Sequence, residues 1–150
     1  MRVVSHLVVG GALHRHPSLK LLIAEGGAGW VPALGDRLDE AYRQHGMFAR
    51  QRLNRLPSEI MRQEVYASFQ HDVSAVQISE DTGYSNVVWG YEYPHLEVVR
   101  MATPRRRCIH CSTTWILAFA EQVLRGTFEE LFNVPPMSDD KRQSLSAAVG

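Results

Sequence analysis

Three places in this sequence set chemically capable side chains directly after an apolar run. Glu25 follows the run 19–24 and precedes Gly26-Gly27. Gln70-His71-Asp72 follows 65–69, and Glu92 and His95 follow 86–90. Two carboxylates and a histidine on neighbouring chain ends can hold a divalent cation or act as general acid and base. The plainer role for Glu25 and Glu92 is to accept loop backbone N–H groups, and for His95 to be an ordinary loop histidine. From the residue types alone both roles stay open.

The elements that would position these residues can be read from periodicity. Val3, Val4, Leu7, Val8 and Ala12 recur at helical spacing over 3–15. Pro17 ends that helix, because the residue before a proline is pushed out of the helical region. The run 19–24 is nearly continuous in apolar residues, as a strand covered on both faces would be. Trp30, Leu34, Leu38 and Tyr42 share one face of a helix, with Pro32 tolerated in its first turn. Asp36, Arg37, Asp39, Glu40 and Arg43 take its solvent side, and Gly46 closes it. Pro57-Ser58-Glu59 opens a short helix over 60–63. A second strand follows at 65–69. Asp72 then caps a helix reaching about Asp81, which Thr82-Gly83 ends. A third strand at 86–90 and an amphipathic helix at 125–132 complete the pattern.

Strands alternating with helices make a parallel sheet, so the fold class is α/β. In such sheets function gathers where the strands end, which is where Glu25, Asp72 and Glu92 stand. Three strands leave two open edges, which sheets avoid. The sequence therefore reads as part of a larger α/β protein, with one domain over 1–134 and a loose polar tail over 135–150.

Composition bounds the function. The chain has 150 residues, 45% hydrophobic and 21% charged, with a formal net charge of zero. That composition builds a core and carries no basic footprint for nucleic acid. No apolar run approaches the roughly 20 residues that span a bilayer, so no membrane partner is expected. The start has no small-residue cleavage site, and 2 cysteines make no disulfide scaffold. A cytoplasmic, reducing location is the expectation.

The motifs HPSLKLLIAEGGAGWVPALGDRLDEAYRQH, VYASFQHD and NVVWGYEYPH together resemble the amidohydrolase-related family, in the branch similar to aminocarboxymuconate-semialdehyde decarboxylase. The resemblance covers 6–97 and resumes near Glu121. It implies a (β/α)8 barrel about twice this length, of which this chain supplies the C-terminal part, approximately strands 6 to 8. It also implies a divalent metal, zinc foremost, that polarises a small carboxylic or cyclic substrate for hydrolysis or non-oxidative decarboxylation. The family's W-G-x-D-Y-P pattern places its metal-ligating aspartate at Glu92. Its His-Gly-Gly at the end of strand 6 falls on Glu25-Gly26-Gly27, which gives Glu25 the acid–base position, and its Y-P-H gives His95 the substrate rim. The His-x-His of the family's first strand has no counterpart: His14-Arg15-His16 has the spacing but lies at a helix end. A catalytic zinc takes about three protein ligands. The resemblance thus implies that the chain alone holds no metal and is inactive.

Residues 98–120, VVRMATPRRRCIHCSTTWILAFA, break the pattern. Cys108-Ile109-His110-Cys111 is a single C-x-x-C without a second pair, and Arg105-Arg106-Arg107 is an isolated basic triplet. Read from the third base of codon 98, one permitted choice of codons for this stretch spells GTYGHTPSTLHSLFDDVDPGVR, which resembles the family's continuation after its Y-P-H, E-G-T and then a helix similar to TLHELFDDV. Within it, STLHSLFDDV places apolar residues at i, i+3, i+4 and i+7 behind an N-cap serine. The frame closes again at Glu121. Residues 98–120 are therefore read as frame-shifted.

Two other functions are weighed beside the enzyme. A non-catalytic half-barrel would cover its open edges with another chain, as in a homo-oligomer. A small zinc module around Cys108 and Cys111 would bind the metal stoichiometrically.

Overall fold

The computed structural model describes residues 1–70, 72–90, 121–135 and 138. In chain order these form α1 (Arg2–Val9), α2 (Ala12–Arg15), β1 (Leu21–Ile23), α3 (Trp30–His45), α4 (Pro57–Glu64), β2 (Val65–Phe69), α5 (Val73–Thr82) and β3 (Val87–Trp89). A π-helical turn, Gln122–Gly126, then runs directly into α6 (Thr127–Phe132). The three strands make one parallel sheet in the order β1-β2-β3. Leu21 pairs with Val65 and Ile23 with Ala67; Ala67 pairs with Val87 and Phe69 with Trp89.

Alternation along the strands divides the sheet into two faces. Val65, Ala67, Phe69 and Val87 enter the main core with Val4, Val8 and Leu13 from the N-terminal helices, Val31 from α3, Ile60 and Met61 from α4, and Val123. Tyr66, Ser68 and Val88 alternate with that set; they are buried but outside the core cluster. The buried Tyr84 hydroxyl donates to the Val65 carbonyl at 2.8 Å, tying the start of β3 to the start of β2. Burial first, and the neighbouring Tyr66 second, push its phenol above the usual tyrosine range.

Several expectations are corrected. The helix expected over 3–15 is two helices, because Gly11 adopts φ +76° between Val9 and Ala12. A left-handed residue ends one helix before the next begins. The first strand is shorter than expected, and all three of its residues are half-buried rather than covered on both faces. The face that α3 buries is centred on Val31, Gly35 and Asp39, with Trp30, Leu34 and Leu38 at its margin. Asp39, expected in solvent, is 7% exposed. Its carboxylate accepts from the Ser58 N–H at 2.8 Å and the Ser58 Oγ at 2.7 Å, in the first turn of α4. A Cβ on Gly35 would stand 3.3 Å from the Ser58 Cβ, so a bare backbone there lets α3 and α4 approach. Pairing a carboxylate with a helix-start N–H makes its burial favourable.

Candidate functional site

The C-terminal ends of the three strands lie side by side and gather the described residues that could do chemistry. Glu25 sits two residues past β1 at φ +57°, a left-handed conformation rare for a residue with a side chain. Its N–H donates to Ser68 Oγ on β2 at 2.8 Å. The Gly90 N–H donates to the Phe69 carbonyl at 2.9 Å, extending the pairing of β2 and β3. A Cβ on Gly90 would lie 3.6 Å from Ser68. Ser68 thus stands between the tips of the two outer strands.

Asp72 fixes this arrangement. One carboxylate oxygen accepts from the N–H groups of Ala28 and Gly29, each at 2.9 Å. The other accepts from the Ala75 N–H at 3.0 Å and from the Ser74 hydroxyl. The same side chain therefore caps α5 and grips the loop leading into α3. Burial alone would raise its pKa. The hydrogen bonds from Ser74, Gly29, Ala28 and Ala75 outweigh burial and hold the carboxyl below the usual aspartate range. The indole N–H of Trp30 donates back to the carbonyls of Gly26 and Gly27, closing the loop from its far side. Held by Ser68, Asp72 and Trp30, the 25–29 loop presents the Glu25 carboxylate to solvent. Gln70 adds a buried Oε1 with no hydrogen-bond partner among the described residues.

A side chain at φ +57° costs about 1 kcal/mol relative to glycine. Glu25→Gly is therefore expected to raise the melting temperature by about 3 °C, and Glu25→Ala to leave it unchanged. Thermal unfolding followed by circular dichroism checks this.

The sequence singled out Glu25 and Asp72, and the structure joins them through one loop. It also singled out His71, Glu92 and His95, which lie outside the described residues, as do Cys108, His110, Cys111 and the arginine triplet. Ser68 went unnoticed, although its place in the strand alternation was a usable signal. Among the described residues, no three His, Cys, Asp or Glu side chains come together to hold a metal, so these residues do not fit one by themselves. His14 and His16 lie at the end of α2 and just beyond it. A cavity of about 690 Å³ opens between α3, α4 and α5, lined by Val31, Asp36, Arg62, Asp81 and Tyr84 among others. None of the strand-end residues lines it. No described helix is long and apolar enough to cross a membrane.

No family model matches the sequence, and no curated protein matches it. Solved structures do. An amidohydrolase from Mycobacterium avium subsp. paratuberculosis K-10 aligns with a TM-score of 0.66 and 22% identity, over 85% of this chain and 32% of its own. The 5-carboxyvanillate decarboxylase of Sphingomonas paucimobilis aligns at 0.69 and 22%, over 87% and 38%. A dihydroxybenzoic acid decarboxylase from Polaromonas sp. JS666, solved with bound manganese and the inhibitor 2-nitroresorcinol, aligns at 0.63 and 13%, over 89% and 40%. The chain shares its fold with these proteins and spans 32–40% of their length.

Proposed function

We propose that this chain is the C-terminal portion, approximately strands 6 to 8, of a (β/α)8 barrel enzyme of the amidohydrolase-related family. The observation that carries the reading is the meeting of two independent lines. The EGGAGW and WGYEYPH motifs resemble that family, and the fold is shared with an amidohydrolase and two decarboxylases. The intact enzyme would bind a small carboxylic or cyclic substrate and hydrolyse it or remove carbon dioxide from it. A divalent metal bound there would polarise the substrate. The manganese of the Polaromonas decarboxylase supports such a metal, and the resemblance favours zinc.

In this reading Glu92 contributes one ligand to the metal, and His95 lines the substrate rim. Glu25 exchanges a proton with the substrate. The geometry around Glu25 suits that task. Its backbone is anchored by the Ser68 hydroxyl and its loop by Asp72, while its carboxylate stays open to a ligand. A strained residue on an over-determined loop is how sites hold reacting groups. The chain alone supplies too few ligands for a catalytic metal and is inactive by itself.

The test is a fresh nucleotide read of the gene, upstream of this chain and through codon 125, followed by metal analysis of the joined product. An upstream frame encoding a His-x-His strand, and a joined product holding stoichiometric manganese or zinc, support the reading. Within that product, Glu25→Gln should lower kcat by at least about 100-fold, the usual worth of a general acid–base group. A joined product that binds no metal would sink the proposal.

A further inference from the structure

The last described helix is apolar on two sides. Val123 and Thr127 are buried, at 1% exposure each, and Val123 belongs to the main core. Leu124, Phe128 and Phe132 are 41%, 43% and 53% exposed, with the two phenylalanine rings 4.7 Å apart between centroids. A helix apolar on both sides is one that is covered on both sides. Beside this stripe, Arg125 forms an ion pair with Glu129. Its Nη2 is nevertheless buried with no hydrogen-bond partner among the described residues. A buried guanidinium donor without a partner calls for an acceptor.

We propose that this face is the seat of an amphipathic helix, STLHSLFDDV, which one permitted choice of codons for residues 98–120 spells in the shifted frame. In that frame the helix is followed by Asp-Pro-Gly-Val-Arg and then by Glu121. So short a link makes two helices antiparallel neighbours. Counting outward from the glycine at its centre sets the phenylalanine of the upstream helix against Leu124. The same count sets its first leucine against Phe128. Large meets small at both positions, which suits interdigitation. The count also sets the paired aspartates within one turn of Arg125, as acceptors for its unpartnered nitrogen. By the same count the ten helical residues, about 15 Å long, lie opposite 121–130, which takes in Leu124 and Phe128 and leaves Phe132 at the end of the seam.

The experiment compares two full chains, the one translated here and one with 98–120 replaced by GTYGHTPSTLHSLFDDVDPGVR. Each is made with and without Phe128→Glu, and urea unfolding is measured. In the chain as translated, the charge falls on an exposed side chain and should change the unfolding equilibrium constant by less than about twofold. In the restored chain it should raise that constant about 30-fold, because the charge enters a buried seam. Leu124→Ser is the milder second variant should Phe128→Glu prevent the restored chain from folding. Equal effects of the substitutions in both chains would overturn the proposal. So would light scattering that finds the translated chain dimeric and its Phe128→Glu form monomeric, since a second copy would then be the occupant.

Discussion

Replacing Asp72 with alanine should lower the unfolding free energy by about 3 kcal/mol, the combined worth of a helix cap and charge-assisted bonds to loop amides. Four donors lose their acceptor at once: Ala28, Gly29 and Ala75 through their N–H groups, and Ser74 through its hydroxyl. Urea titration of the two proteins, with unchanged slope and a lowered midpoint, is the measurement. The same side chain gives an acid dependence whose sign is fixed. Its pKa is lower folded than unfolded, so protons prefer the unfolded chain. The stability it contributes is full above the ordinary aspartate value of about 3.9, and drains away as pH falls through the lower folded value. Asp72→Asn should flatten that acid limb. An unaltered limb in the variant would mean that the carboxylate does not hold the loop.

The second large effect is expected at the opposite end of β2. Glu64 is 2% exposed and pairs with Arg55 at 3.1 Å, while Arg55 is 25% exposed and also donates to Gln63. Its second carboxylate oxygen has no partner among the described residues. Arg55→Ala would strand a buried charge, at a cost of about 3 kcal/mol. Glu64→Gln should cost less, because the amide needs no counter-charge. The double variant Arg55→Met with Glu64→Leu should recover most of the loss, since an apolar pair of similar volume replaces two desolvated charges. A double-mutant cycle by chemical denaturation separates the pair from its surroundings. Additive single effects would show the two residues to be energetically independent.

How far the sequence carried depended on whether local pattern or long-range packing decided each feature. The strand at 65–69 and the closure of α3 at Gly46 follow from local chemistry, and both stand in the structure where they were expected. So does the Asp72 cap, with Gly83 ending its helix. The parallel sheet followed from strand–helix alternation. Asp39 was misplaced because helical period ranks residues by type, and cannot see Ser58 arriving from α4 with two donors. Glu64 was missed because its counter-ion, Arg55, reaches it from the irregular segment before α4, which no helical or strand period marks. Glu25 was legible from its place after the apolar run 19–24, whereas its positive φ was not, since nothing in the residue type announces a left-handed backbone. Asp72 was legible as a cap but not as the clamp on a loop more than forty residues earlier, which only the sheet brings near.

The sheet order has a consequence for how the protein is made. β2 pairs with β1 and β3 with β2, so among the described strands each one after the first finds its neighbour already made. An emerging chain can add one strand–helix unit at a time to a growing arc, in the order of translation. Loop closure is then the same modest entropic step at each addition. Any change of sequence beyond Gly90 would arrive after that arc had been laid down. It would alter the last addition and leave the loops around Glu25 and Asp72 already set.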